Sequence, residues 1–216
     1  MPLSDRRRQT CAACHRSLVL SIENLLALAV FAFVTSVSPG PSNVMLMTSG
    51  ANFGFGRTLP QVFGITVGFT SLLSGVGLGL GALFQAWPPL SVALKVGGAA
   101  YLLYLAWRIA LSRSISAGQA STRPLTFMES ALFQWINPKA WIVALASVAV
   151  YVDAAAPWIS LAWMCLVFAL VNLPSVSLWA GFGVALRGFL AQPGRLKWFN
   201  IAMGALLALT LWPMLR

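Results

Sequence analysis

Two apolar stretches of the chain are each interrupted by a proline motif with polar side chains beside it. The first carries Pro39, Gly40, Pro41 and Asn43; the second carries Asn137, Pro138 and Lys139. Proline removes a backbone donor and blocks helix continuation, so each motif frees NH and carbonyl groups. In a bilayer such groups are tolerated only where they line a protein-buried or watery cavity. A half-helix N-terminus is also partly positive and suits a carboxylate. The chemistry implied is reversible binding of a small polar solute; the plainer reading of the first motif is a simple kink. Lys139 adds a charge. A central lysine costs about 2.5–3.5 kcal/mol to insert, so it faces a cavity or a partner. It either holds a substrate carboxylate, changes protonation during transport, or snorkels to an interface. Asn172, close to Pro174, is a further candidate for the same cavity. Glu129 is a proton-coupling candidate alongside Lys139, or an interfacial acid. The two lie ten residues apart, roughly 15 Å along a helix, so pairing them requires the break to fold them together.

Other chemistries find little to work with. There is no Ser/His/Asp set, phosphate loop or metal cluster, so an enzyme is not expected. Cys11-Ala12-Ala13-Cys14-His15 has the spacing of covalent haem attachment. A haem needs an axial partner and a surrounding fold, and this short tail with one His offers neither. The match reads as coincidence, and no cofactor is expected. A membrane thiol-disulfide oxidoreductase needs a reactive Cys in each broken helix. Neither broken segment has one, and Cys165 stands alone.

The elements that must position these residues are set by composition. The 216 residues are 59% hydrophobic and 8% charged, against roughly 25% charged in an ordinary soluble domain. The net charge of +10 forms no long stripe, so nucleic acid is not the expected partner; the lipid bilayer is. A span needs about 20 apolar residues. That ruler places six: Ile22 to about Asn52, broken at Pro39 and Pro41; Val62 to Phe84; Leu90 to Leu111; Thr126 to Tyr151, broken at Asn137-Pro138; Trp158 to Phe182; and Phe199 to Leu215. The first stretch, straight, would run about 50 Å, so it must break, tilt or re-enter.

Positive charge alternates between loops. Arg57, then Arg108, Arg113 and Arg123, then Arg187, Arg195 and Lys197 mark the odd-to-even loops as cytoplasmic. Both termini of six spans then lie outside. Arg6, Arg7, Arg8 and Arg16 contradict this. Either residues 1–18 are an over-extended start, which is the favoured reading, or the tail is inside and the first span re-enters, leaving five crossings. The expected domain is a single transmembrane unit, 19–216, with repeat one at about 22–111, a loop at 112–125 and repeat two at about 126–216. Each half opens with a broken span and ends on a Gly- and Leu-rich one near a Trp. Paired broken segments in two halves point to a midplane transport site. The fold class expected is therefore an all-α membrane protein of about six transmembrane helices, arranged as two inverted three-helix repeats with broken first helices.

Four segments carry a resemblance: Thr35 to Asn43 (T-S-V-S-P-G-P-S-N), Ser49 to Gly54, Gly97 to Trp107, and Gln134 to Trp141 (Q-W-I-N-P-K-A-W). Together, and in this order, they resemble the lysine exporter (LysE/RhtB) family of bacterial amino-acid exporters. The resemblance runs from about Ile22 to the end. It implies multi-pass efflux of an amino acid or derivative across the bacterial inner (plasma) membrane, driven by the proton motive force, and it admits a homodimer. Ser42 departs from a common Asn, and Ile142 to Tyr151 lacks a Phe-rich, Pro-Gln stretch. A passive channel or non-transporting membrane subunit is the alternative. The scarcity of intramembrane acids leans toward neutral substrates.

Overall fold

Helix signals and proline positions account for the order of elements. The computed structural model describes residues 22–111, 123–153 and 156–209, and every regular element there is helical. The N-terminal tail with its Cys-Ala-Ala-Cys-His motif, most of the loop between the two halves and the end of the sixth expected span lie outside these residues.

Helix α1 (Ile22–Val37) and α2 (Pro41–Phe53) are two arms bent by 58° at the first proline motif. Next come α3 (Phe55–Gly75), a π-helical turn (Val76–Leu80), the short α4 (Gly81–Ala86) and α5 (Pro88–Leu111). The second half has α6 (Phe127–Ile136), α7 (Pro138–Tyr151), α8 (Pro157–Leu186), a 3-10 turn (Phe189–Ala191) and α9 (Pro193–Leu209). Proline begins α2, α5, α7, α8 and α9. Its fixed φ suits the first helical position, and its missing NH has no partner there anyway.

The largest boundary differences from the sequence expectation are three. The helix at the second expected span starts at Phe55 rather than Val62, that at the fifth runs on to Leu186 rather than Phe182, and that at the sixth starts at Pro193 rather than Phe199. Gly56 and Pro60 make 55–61 look non-helical, yet Thr58 and Gln61 are buried to 0% and 1% exposure. Tertiary packing there outweighs local propensity. Gly54, with φ of 85°, supplies the sharp corner from α2 into α3, a conformation that L side chains rarely adopt.

Phe55–Leu80 and Pro157–Leu186 are long and apolar enough to cross a membrane, and the bent α1–α2 pair counts as a third such segment. Side-chain placement agrees with a lipid surround. Val30, Leu132, Ile142 and Leu170 face outward, while Asn43, Asn52, Gln61, Asn137, Asn172 and Asn200 are buried. Polar interior and apolar exterior is the arrangement hydrocarbon favours.

Helix crossings rely on small residues, which let backbones approach closely. α2 packs on α8, where Gly50 meets the backbone of Ala180 and Gly183 meets that of Met47. α3 packs on α6 through Gly64 and Gly68 against Phe127 and Ala131, and α5 packs on α9 through Gly204 against Ala106.

Candidate functional site

The chain leaves α1 at Val37 and enters α2 at Pro41, exposing a run of carbonyls in the bundle interior. Each of them finds a donor. Ser38 Oγ donates to the Thr35 carbonyl at 2.9 Å. Asn43 Nδ2 donates to the carbonyls of Ser36 and Ser38 at 2.7 and 2.9 Å. Trp179 Nε1, from α8, donates to Val37 at 3.1 Å. The Val44 amide closes on Gly40 at 3.0 Å. Lys139 Nζ donates to Ser38 at 2.6 Å and reaches Pro39 at 3.4 Å. A lysine ammonium thus sits on the carbonyl end of α1, where the helix dipole is negative.

That last bond joins the two proline motifs, about a hundred residues apart in sequence. Asn137 is the N-cap of α7, its side chain accepting from the Lys139 amide at 3.2 Å. This aims the first turn of α7, and with it Lys139, at the first break. The fit is close at Gly40, where a Cβ would come within 2.7 Å of Lys139 Cδ. Gly40 has extended backbone (φ −178°), so its small size is what matters there.

Around this junction lies a polar cluster. Asn137 Nδ2 donates to Ser42 Oγ at 3.1 Å and to Gln134 Oε1 at 3.3 Å, and Gln134 Nε2 donates to Ser42 Oγ at 3.1 Å. A second chain links three helices: Thr66 Oγ1 donates to Asn172 Oδ1 at 3.0 Å, and Asn172 Nδ2 donates to Ser36 Oγ at 3.0 Å. Ser42, Gln134 and Asn137 of the first set and Ser36 and Asn172 of the second line one cavity with about 430 Å³ of empty space, partly open to solvent, and Thr66 supports Asn172 from behind its wall. Its polar wall includes Gly40, Asn43, Asn137, Lys139 and Asn172; Phe69, Phe168 and Val143 close its apolar side. None of the residues lining it is acidic.

The candidates from the sequence separate into two groups. Gly40, Asn43, Asn137, Lys139 and Asn172 meet in the cavity wall. Pro39 is exposed, and Pro41 and Pro138 open their helices and shape the breaks without lining the cavity. Glu129 is placed elsewhere. It accepts from Arg123 Nη1 and Nη2, both at 2.7 Å, and forms a capping box with Thr126 at the start of α6. Those two bonds raise the Arg123 guanidinium above its ordinary pKa. Lys139 and Glu129 therefore have different partners. Sequence reasoning missed Ser36, Thr66 and Trp179 as site residues. It quoted Ser42 and Gln134 only as motif letters. Their signal is a polar side chain inside an apolar run, shared with many Ser and Thr that merely bond their own helix, as Thr48 and Thr70 do.

A polar, acid-free chamber walled by two helix breaks inside an apolar bundle defines a solute-translocating membrane protein. Comparison with known proteins places the chain within that class. It belongs to the LysE type translocator family, whose profile matches residues 33–210. It is accordingly a transporter and not an enzyme. It is similar to the cysteine/O-acetylserine efflux protein of Escherichia coli strain K12, at 26% identity over 189 residues, covering 85% of this chain and 93% of that protein. The protein of the same description from Escherichia coli O157:H7 is 27% identical over the same shares. No solved structure matches the chain.

Proposed function

We propose that this protein is a secondary exporter of a small neutral amino acid or amino-acid derivative, of the cysteine and O-acetylserine kind. It acts across the bacterial inner membrane and is driven by the proton motive force. The observation that carries the reading is the meeting of Lys139 with the carbonyls of the first break, in a cavity lined by amides and by no acid. A zwitterion fits this wall: its carboxylate goes to Lys139 and the free amides of the first turn of α2, its ammonium to amide and backbone oxygens. A cationic substrate would meet an uncompensated positive charge. Substrate binding falls to Gly40, Asn43, Asn137, Lys139 and Asn172, with Pro39, Pro41 and Pro138 holding the breaks open. Proton coupling falls to Lys139 rather than Glu129, whose carboxylate is already taken by Arg123 and Thr126.

The architecture of this reading is six spans in two inverted triplets: α1–α2, α3 and α5, then α6–α7, α8 and α9. Its support is the pairing of α5 with α9 and of each broken span with the long helix of the other half. Inside-out membrane vesicles test the function. They should take up radiolabelled L-cysteine and O-acetyl-L-serine saturably, and a protonophore should collapse the gradient. Vesicles that equilibrate without saturation indicate a channel, and vesicles that take up nothing refute transport of these solutes.

A further inference from the structure

A second cavity, with about 510 Å³ of empty space and partly open to solvent, lies at the far end of α2 from the break. The C-terminal part of α2, the first turns of α3, the end of α5 and the segment leading into α6 enclose it. Arg57 in the first turn of α3, Arg108 near the end of α5 and Arg123 ahead of α6 cluster at this end, which puts it on the cytoplasmic side by charge asymmetry. For an exporter that is the loading side.

Two groups in its wall have bonding capacity unused among the described residues. Gln61 is 1% exposed, and its Oε1 has no hydrogen-bond partner among the described residues. Buried polar atoms are almost always partnered, and nearby Asn52 and Asn200 do pair with each other, at 3.1 and 3.4 Å. Arg108 is the other. It stacks over Tyr104 at 5.6 Å and forms no ion pair among the described residues, whereas Arg123 in the same wall is neutralised by Glu129. A buried amide oxygen without a donor and a half-buried guanidinium without an ion pair, both among the described residues, face one space.

We infer that this cavity is a cytoplasmic loading site for a zwitterionic α-amino acid, separate from the midplane site. Arg108 takes the carboxylate and the Gln61 oxygen accepts from the ammonium. A phosphatidylglycerol headgroup would satisfy Arg108 but bring only neutral hydroxyl donors to Gln61, not an ammonium. The loading direction rests on the export reading above; the ligand chemistry does not.

The test is equilibrium binding of radiolabelled L-cysteine, kept reduced, to the purified full-length protein. It is done in a Lys139→Met background to silence the midplane site. Gln61→Leu and Arg108→Gln should each weaken binding about tenfold, the loss of one hydrogen bond to a charged group, and Arg108→Lys should recover part of it. Gln61→Leu should melt no lower than its parent, because an apolar replacement of an unpartnered amide loses no bond. Binding of L-cysteine methyl ester should be weak already and insensitive to Arg108→Gln. Unchanged L-cysteine binding in both variants overturns the inference, as does absence of binding in the Lys139→Met parent. So does competition by phosphatidylglycerol that Arg108→Gln abolishes while L-cysteine binding stays constant, since that marks a lipid site. Intact binding with no saturable uptake by wild-type vesicles would instead refute the export reading and leave this site standing.

Discussion

Replacing Lys139 with Met keeps an unbranched side chain and deletes the ammonium, so it separates the role of the charge from that of the fold. Two opposing terms set the effect on stability. The Ser38 carbonyl loses its 2.6 Å donor but keeps Asn43 at 2.9 Å. The Pro39 carbonyl loses only a long 3.4 Å contact, and Pro39 is exposed. The hydrogen-bond loss is therefore about 1 kcal/mol. Against it, the chain no longer carries a charge into an apolar span, a cost of about 2.5–3.5 kcal/mol on insertion scales. The variant should reach the membrane at wild-type level and melt no lower. Transport should behave differently. A charge-assisted bond to a substrate carboxylate contributes about 1.5–3 kcal/mol, which corresponds to a loss of about 10- to 150-fold. The assay is initial uptake of L-cysteine into inside-out vesicles, normalised to immunoblotted protein. Uptake indistinguishable from wild type would refute the reasoning and leave Lys139 as a strut between the two breaks.

Asn43→Ala leaves the Ser36 carbonyl without its donor and should lower stability by about 1–3 kcal/mol, read as an earlier melting transition in detergent. Gly183→Val pushes a Cβ into the backbone of Met47 and within 2.7 Å of the Ala51 amide. It should cost about 1–3 kcal/mol or more, read as loss of protein from the membrane fraction. Glu129→Gln removes an exposed ion pair worth less than about 1 kcal/mol and keeps a capping-box side chain. Export should persist, and its loss at a normal protein level would return proton coupling to Glu129.

Much of the fold was legible because a bilayer imposes one-dimensional rules. The break at Pro39–Pro41 and the break at Asn137–Pro138 fall where the letters put them, since proline's missing donor acts on its own helix. The start of α3 did not, because Gly56 and Pro60 argue against a helix that only the burial of Thr58 and Gln61 sustains. The candidate site was half legible. Asn43, Asn137, Lys139 and Asn172 stood out as polar groups in apolar runs. What Asn43 and Lys139 do with their donors did not, because their acceptors are backbone carbonyls, which every residue carries and no sequence distinguishes.

By itself the sequence determined that this chain enters a membrane, where its helices break, and that the breaks are chemically special. Only the tertiary structure decided that the two breaks meet. It seats Lys139 on the carbonyls of Ser38 and Pro39 and gives Glu129 to Arg123. The reason is physical: helix periodicity and proline are local constraints, written within a few residues. The pairing of a donor with a carbonyl a hundred positions away depends on how α2 and α8, and α3 and α6, pack through their small residues.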